Sequence, residues 1–189
     1  VTGLSVARFF IRNNISFRIA DSRQDPTMLQ ISKNENLLHD FYFGDWSESL
    51  LEDISEVIIS PGIAESESIV RWIRAKNISI ISDIELFGRY VKAPMIGITG
   101  SNGKSTVTQL LGEMALASSL KAYICGNIGN PVMECISDDA ELYIVELSSY
   151  QLDYTNKLDL FAGVITNISP DHLDRYSSYS NYISSKLSI

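Results

Sequence analysis

Gly97-Ile98-Thr99-Gly100-Ser101-Asn102-Gly103-Lys104-Ser105-Thr106 decides how this chain is read. Before it, apolar Pro94 to Ile98 predicts a buried strand; after it, Val107 to Ala117 predicts a helix. Strand, glycine-rich turn and a helix opening on Gly-Lys-Ser make a phosphate cradle. Glycines let backbone N–H groups point at phosphate oxygens, and the helix N-terminus adds partial positive charge. Gly100, Ser101, Asn102 and Gly103 would line the cradle. Lys104 would reach the outer phosphates, and the hydroxyl of Ser105 or Thr106 would ligate Mg²⁺. The standard spacing has its first glycine at the position of Ile98; here it stands one residue earlier, at Gly97. An ordinary glycine-rich turn would explain the glycines alone. It would not explain their coincidence with the Lys-Ser pair and the strand–helix context.

Downstream, Ala122 to Cys125 predicts a strand ending in Gly126-Asn127-Ile128-Gly129, and Pro131 suits the first turn of a helix. Leu142 to Val145 predicts a buried strand that delivers Glu146-Leu147-Ser148-Ser149 at its end. Phe161 to Ile168 predicts another, followed by Ser169-Pro170-Asp171-His172, and Ser178 to Leu187 predicts a helix. Ligands of parallel sheets bind outside the carboxyl ends of the strands. The phosphate loop, Asn127, Glu146 to Ser149 and His172 all fall there. Glu146 suits Mg²⁺, directly or through water, opposite Ser105. His172 gains meaning only from that company, since a lone histidine is more often structural.

Upstream, Leu4, Ala7, Phe10 and Ile11 share one helical face, and Ser16 to Ala20 predicts a strand closed by Asp21. Helix, strand and strand-end acid suggest a Rossmann-type unit, with Asp21 and Arg23 able to read polar atoms of a nucleotide or to be surface charges. The opening strand and glycine turn of such a unit are expected before Val1, and the last helix runs out uncapped, so the sequence reads as a piece of a longer chain. Gln24 to Asp45 is polar and aperiodic, and His39 within it reads as solvated. Val57 to Ser60 and Ile78 to Ile81 predict strands around a helix from Ser66 to Lys76 with Ile69, Trp72 and Ile73 inward. Asp83 is expected to cap a short helix through Arg89. Lys92-Ala93-Pro94 is the expected boundary between units 1–93 and 94–189. Strands alternating with helices in both halves predict an α/β fold of parallel sheets.

The 189 residues, 45% hydrophobic and 20% charged, suit globular domains, and a net charge of −8 argues against a nucleic-acid surface. The two cysteines, Cys125 and Cys135, have no metal-ligand spacing and are expected to fill core in a reducing, cytoplasmic setting. No apolar run approaches the ~20 residues of a membrane span, and no signal-peptide pattern opens the chain. Tyr150-Gln151-Leu152 and the aromatic residues Phe9, Phe10, Phe41, Tyr42 and Phe43 read as packing.

Four blocks carry a resemblance: Thr99 to Thr106, Gly126 to Gly129, Glu146-Leu147-Ser148-Ser149-Tyr150-Gln151-Leu152, and Asn167 to Tyr176. Together they resemble the ATP-dependent Mur ligases of peptidoglycan synthesis. The Glu146 to Leu152 block is most similar to the D-glutamate-adding branch, and Ser60-Pro61-Gly62-Ile63 and Asp83-Ile84-Glu85-Leu86-Phe87 fit the same branch. The resemblance implies an N-terminal domain for the uridine nucleotide, a central ATP-binding domain and a third domain. This chain is expected to hold most of the first and part of the second. It implies amide formation: ATP phosphorylates the carboxylate of UDP-N-acetylmuramoyl-L-alanine, and the amine of D-glutamate displaces phosphate. Lys104 is assigned to the phosphates, Ser105 and Glu146 to one Mg²⁺, and Asn127 and Ser148 to the substrate side. Thr2, Asp21, Ser22 and Arg23 match the uridine-nucleotide region. His172 and Lys186 are assigned to a second Mg²⁺, with Lys186 matching a lysine that such ligases carry as a carbamate. The resemblance also implies a cytoplasmic monomer, and these residues alone are expected to lack ligase activity. Three alternatives stay open: a folylpolyglutamate synthase-like amide ligase, a nucleotide-binding module without catalysis, and a plain phosphate-loop phosphotransferase.

Overall fold

The computed structural model describes residues 2–23 and 41–189. Most of the polar stretch after Gln24, with His39, lies outside the described residues. Helix α1, Thr2–Arg12, buries Leu4, Val6, Ala7 and Phe9, while Ile11, expected on the inner face, is exposed. Strand β1 is Ile19–Asp21, starting three residues later than Ser16. It pairs in parallel with β2, Phe41–Phe43, whose three aromatic residues are too few to show a period. Strand β3, Glu56–Ile58, pairs in parallel with β4, Ser79–Ile81, around helix α2, Ser68–Ala75.

The single N-terminal sheet expected of a doubly wound unit is therefore two separate pairs among the described residues. Residues of β1 and β3 line one cavity of about 970 Å³, and the two strands are not paired with each other.

Helix α3, Asp83–Tyr90, is capped by Ser82, not by Asp83. The extended backbone of Ser82 sets its hydroxyl over the Glu85 amide, 3.0 Å away, which is N-cap geometry. Asp83 is the first helical residue, and its carboxylate accepts from the Ile84 amide.

Four parallel strands then form one sheet in the order β6-β7-β5-β8: β5 is Met95–Thr99, β6 Ala122–Gly126, β7 Leu142–Glu146 and β8 Ala162–Ile165. Helix α4, Lys104–Ala117, connects β5 to β6, opening three residues before the predicted Val107. Where a helix was expected after Pro131 there is only a three-residue 3₁₀ turn, Val132–Glu134, with Cys135 just past its end. The Ser137 amide, which a longer helix would need, donates instead to the Tyr143 hydroxyl at 2.9 Å. Helices α5, Ser149–Leu152, and α6, Tyr179–Leu187, complete the chain, and both are capped by serines, Ser148 and Ser178. The Ser188 hydroxyl closes α6 on the Ser185 carbonyl, so this end, expected to be uncapped, carries a cap.

Among the described residues no strand before Ala93 pairs with one after it. The halves meet through a shared apolar core and a few hydrogen bonds, among them Ser82 N to Tyr154 O at 2.8 Å. Val6 and Phe9 of α1 and Ile84 and Phe87 of α3 share a core with Cys125, Met133, Tyr143 and Leu147. Phe87 meets the Tyr143 ring edge-on, with centroids 5.0 Å apart. Among the described residues no helix is long and apolar enough to cross a membrane. Because Phe87 is fully buried at this junction, Phe87→Ala is expected to cost about 3–5 kcal/mol of unfolding free energy in urea titrations.

Candidate functional site

The site begins where β5 ends. Since all four strands are parallel, their carboxyl ends share one edge of the sheet, and β5 lies between β7 and β8. Gly100 turns the chain with φ +144°, and a Cβ there would fall 2.0 Å from the Thr166 hydroxyl, so only glycine lets the loop lie against the segment after β8. That segment holds the loop. Ser101 N and Asn102 N donate to the carbonyl and side-chain oxygens of Asn167, and Asn102 O accepts from Thr166 and from the Asn167 amide. The Ser101 hydroxyl accepts from Ser169 N and bonds the Tyr182 hydroxyl at 2.8 Å.

Gly103, φ +79°, is the N-cap of α4 and offers no side-chain cap. The first-turn amides of α4 therefore face outward without a partner from within the helix. Ser105 and Thr106 are exposed beside them. Lys104, read as reaching phosphates, folds its ammonium back onto Gly100 O at 2.8 Å and Ser101 O at 3.0 Å.

Glu146 ends β7, one strand over, with its backbone in register with Ile98. It is 1% exposed. One carboxylate oxygen accepts from the Asn127 amide at 2.9 Å, and the other is buried with no partner. Gly126, φ +108°, allows this contact: a Cβ there would lie 2.2 Å from Glu146 O. Asn127, assigned to the substrate side, is thus a direct neighbour of Glu146. Ser148, assigned likewise, has its hydroxyl engaged in a capping box with Gln151.

Lys186 is 2% exposed and donates to the Thr99 hydroxyl at 3.3 Å, with its ammonium 5.0 Å from the Tyr182 ring centroid. Burial, with the Lys104 charge as a second cause, pulls its pKa down to about 8. His172, in the left-handed region at φ 53°, is exposed, beside Asp171 and packed on Tyr150. It lies on Tyr182 too, so one tyrosine ring stands beside both His172 and Lys186. Among the described residues no three His, Cys, Asp or Glu side chains gather as a ready-made metal site.

The uridine-region residues Thr2, Asp21, Ser22 and Arg23 all line the 970 Å³ cavity, remote in sequence from the loop. Arg23 grips Asp21 with two hydrogen bonds of 2.9 and 2.7 Å, and this guanidinium, against some burial, holds the Asp21 carboxyl below its usual range. Two residues escaped the sequence reading. Thr99, fully buried, joins Leu147 O to Lys186, and Asn167 anchors the loop. Both stand at the head of a motif block, Thr99 to Thr106 and Asn167 to Tyr176, but nothing local marks what either side chain bonds.

A parallel α/β sheet with a glycine-rich loop feeding an uncapped helix defines a phosphate-loop class of protein. The description "Mur ligase MurD-like, N-terminal domain" matches residues 1–82, and "Mur ligase middle domain" matches residues 98–189. The chain belongs to the Mur ligase family.

It is 41% identical over 181 residues to the UDP-N-acetylmuramoylalanine--D-glutamate ligase of Pseudomonas savastanoi pv. phaseolicola, covering 96% of this chain and 40% of the relative. The enzyme of the same name from Nitrosococcus oceani is 43% identical over 189 residues, covering 100% and 42%. The chain thus spans about two-fifths of the length of these curated relatives. In fold it is similar to UDP-N-acetylmuramate:L-alanyl-gamma-D-glutamyl-meso-diaminopimelate ligase from Neisseria meningitides, at TM-score 0.59 and 14% identity over 97% of this chain and 63% of that one. A murein peptide ligase from Psychrobacter arcticus gives TM-score 0.53 at 12% identity, over 96% and 43%.

The buried lysine yields a signed prediction. Its pKa is depressed from 10.5 to about 8, so its contribution to stability is greatest above pH 10.5 and is lost as pH falls to about 8. Wild type minus Lys186→Met should therefore change by up to about 3 kcal/mol across that window and flatten below about pH 7, read from urea unfolding at each pH.

Proposed function

We propose that this chain holds the uridine-nucleotide-binding and ATP-binding parts of a D-glutamate-adding amide ligase of peptidoglycan synthesis. Its substrates would be UDP-N-acetylmuramoyl-L-alanine, D-glutamate and ATP. Residues 1–93 would serve the uridine nucleotide, through Thr2, Asp21, Ser22 and Arg23, and residues 94–189 would serve ATP. The observation that carries this is Glu146: a buried carboxylate oxygen without a partner, on the strand beside the phosphate loop. The 41–43% identity to relatives named for D-glutamate addition supports the branch.

An unsatisfied buried carboxylate oxygen costs free energy unless a cation meets it. Glu146 and the Ser105 hydroxyl are oxygen donors suited to Mg²⁺, so the residues fit the metal. When bound, Mg²⁺ would supply positive charge to phosphate oxygens. The loop amides and the N-terminus of α4 receive phosphate oxygens, and Lys104 exchanges its two loop carbonyls for them. A carboxylate is a poor electrophile with a poor leaving group. Phosphorylation to an acyl phosphate cures both, and D-glutamate nitrogen then forms the amide as phosphate leaves. Two anions meet in the first step, so Lys104 screens the developing charge. Asn127 orients Glu146, and Ser148 holds the following turn.

Lys186, with a pKa of about 8, keeps a share of neutral amine at neutral pH. Amine and CO₂ give a carbamate and a proton, and the carbamate is an anionic oxygen donor that a second Mg²⁺ shared with His172 would accept. The enzyme would act as a cytoplasmic monomer, where Cys125 and Cys135 stay reduced.

Calorimetric titration of Mg·ATP into the chain tests the site. Lys104→Ala should weaken binding by about tenfold or more. Glu146→Gln should weaken Mg·ATP yet leave ATP in excess chelator unchanged. Unaltered binding in both variants would overturn the proposal.

A further inference from the structure

One side chain joins the strand-end carboxylate to the N-terminal half. Gln151 of α5 is 4% exposed. Its amide oxygen accepts from both Ser148 N and the Ser148 hydroxyl, each at 3.1 Å, within the turn that leaves Glu146. Its amide nitrogen points the other way and donates to Asp83 at the start of α3, 3.2 Å away. Asp83 is itself 4% exposed, and burial pushes its carboxyl above the usual range while the Gln151 donor opposes that rise. Asp83 and Gln151 stand 68 positions apart in the chain; the fold makes them a hydrogen-bonded pair.

We propose that Gln151 is a positioning residue: through it, α3 of the N-terminal half fixes the turn after β7 and hence the stance of Glu146. An amide suits this task, because one end accepts from Ser148 and the other donates to a carboxylate. The functional consequence rests on the phosphate-site reading above; the positioning itself does not. The surrounding contacts do not involve the Gln151 side chain. Ser82 bonds Tyr154 O and the Thr155 hydroxyl, and Glu85 accepts from the amides of Asn156 and Lys157. The halves therefore remain docked when the amide is altered.

The test reverses the polarity of the pair. Gln151→Glu keeps the acceptor for Ser148 but sets a carboxylate against Asp83, a buried like-charge contact. Asp83→Asn keeps an acceptor for Gln151 and for Ile84 N. The double variant restores one donor and one acceptor, now running from residue 83 to residue 151. The readouts are Mg·ATP affinity and the ¹⁵N–¹H signal of the Asn127 side-chain amide, which reports its contact with Glu146 without any ligand. Gln151→Glu should move that signal and weaken Mg·ATP about tenfold. Asp83→Asn alone should leave both near wild type, and the double variant should bring both back. An unmoved Asn127 signal in Gln151→Glu, or no recovery in the double variant, would overturn the positioning role. Should the signal respond and recover while wild type binds no Mg·ATP, the positioning stands and the phosphate-site reading falls.

Discussion

The loop after β5 and the segment after β8 hold one another by four hydrogen bonds through Ser101, Asn102, Thr166 and Asn167. These bonds use up the loop's inward polar groups, so the amides that open α4 are left facing outward. An anion site made of backbone N–H groups is useful only if the backbone is rigid before the anion arrives, since ordering a free loop would cost about 1–2 kcal/mol per residue. Gly100 is the hinge of this constraint, because any Cβ there would strike the Thr166 hydroxyl. The catalytic proposal, the reach of Lys104 and the position of Ser105 all depend on that loop being set.

Burial here is spent on polar groups as well as on apolar ones. Asp83, Glu85, Glu146, Gln151 and Lys186 are all nearly inaccessible, and most are satisfied by named partners. A fully apolar interface would hold the halves together without fixing their angle, whereas buried hydrogen bonds are directional and costly to misalign. Glu146 is the exception: half of its carboxylate is unsatisfied, which stores a demand for a cation at the carboxyl edge of the sheet. Lys186 carries the opposite demand, since burial near the Lys104 charge favours its neutral amine.

Much was legible in the chain itself. The phosphate loop, the strands ending at Gly126 and Glu146 and the alternation that predicts parallel sheets are local patterns: apolar runs, glycine turns and charges at fixed offsets. Such features follow from backbone sterics within a few residues, so sequence determines them alone. Where neighbours compete, sequence misled. The Ser137 amide goes to the Tyr143 hydroxyl, so no helix follows Pro131, and Ser82 rather than Asp83 caps α3 because backbone angles choose between adjacent candidates.

What only the tertiary structure decided are relations between residues far apart in the chain. Gln151 meets Asp83 across 68 positions, and Lys186 meets Thr99 across 87. No periodicity encodes these contacts, because they depend on how helices settle on a sheet, and side chains of a given type look alike in sequence whether they face solvent or core. The sequence by itself determined that a phosphate loop and a strand-end carboxylate exist. The fold decided that the carboxylate is buried and half unsatisfied, that the lysine is desolvated, and that Gln151 of the site's half meets Asp83 of the other.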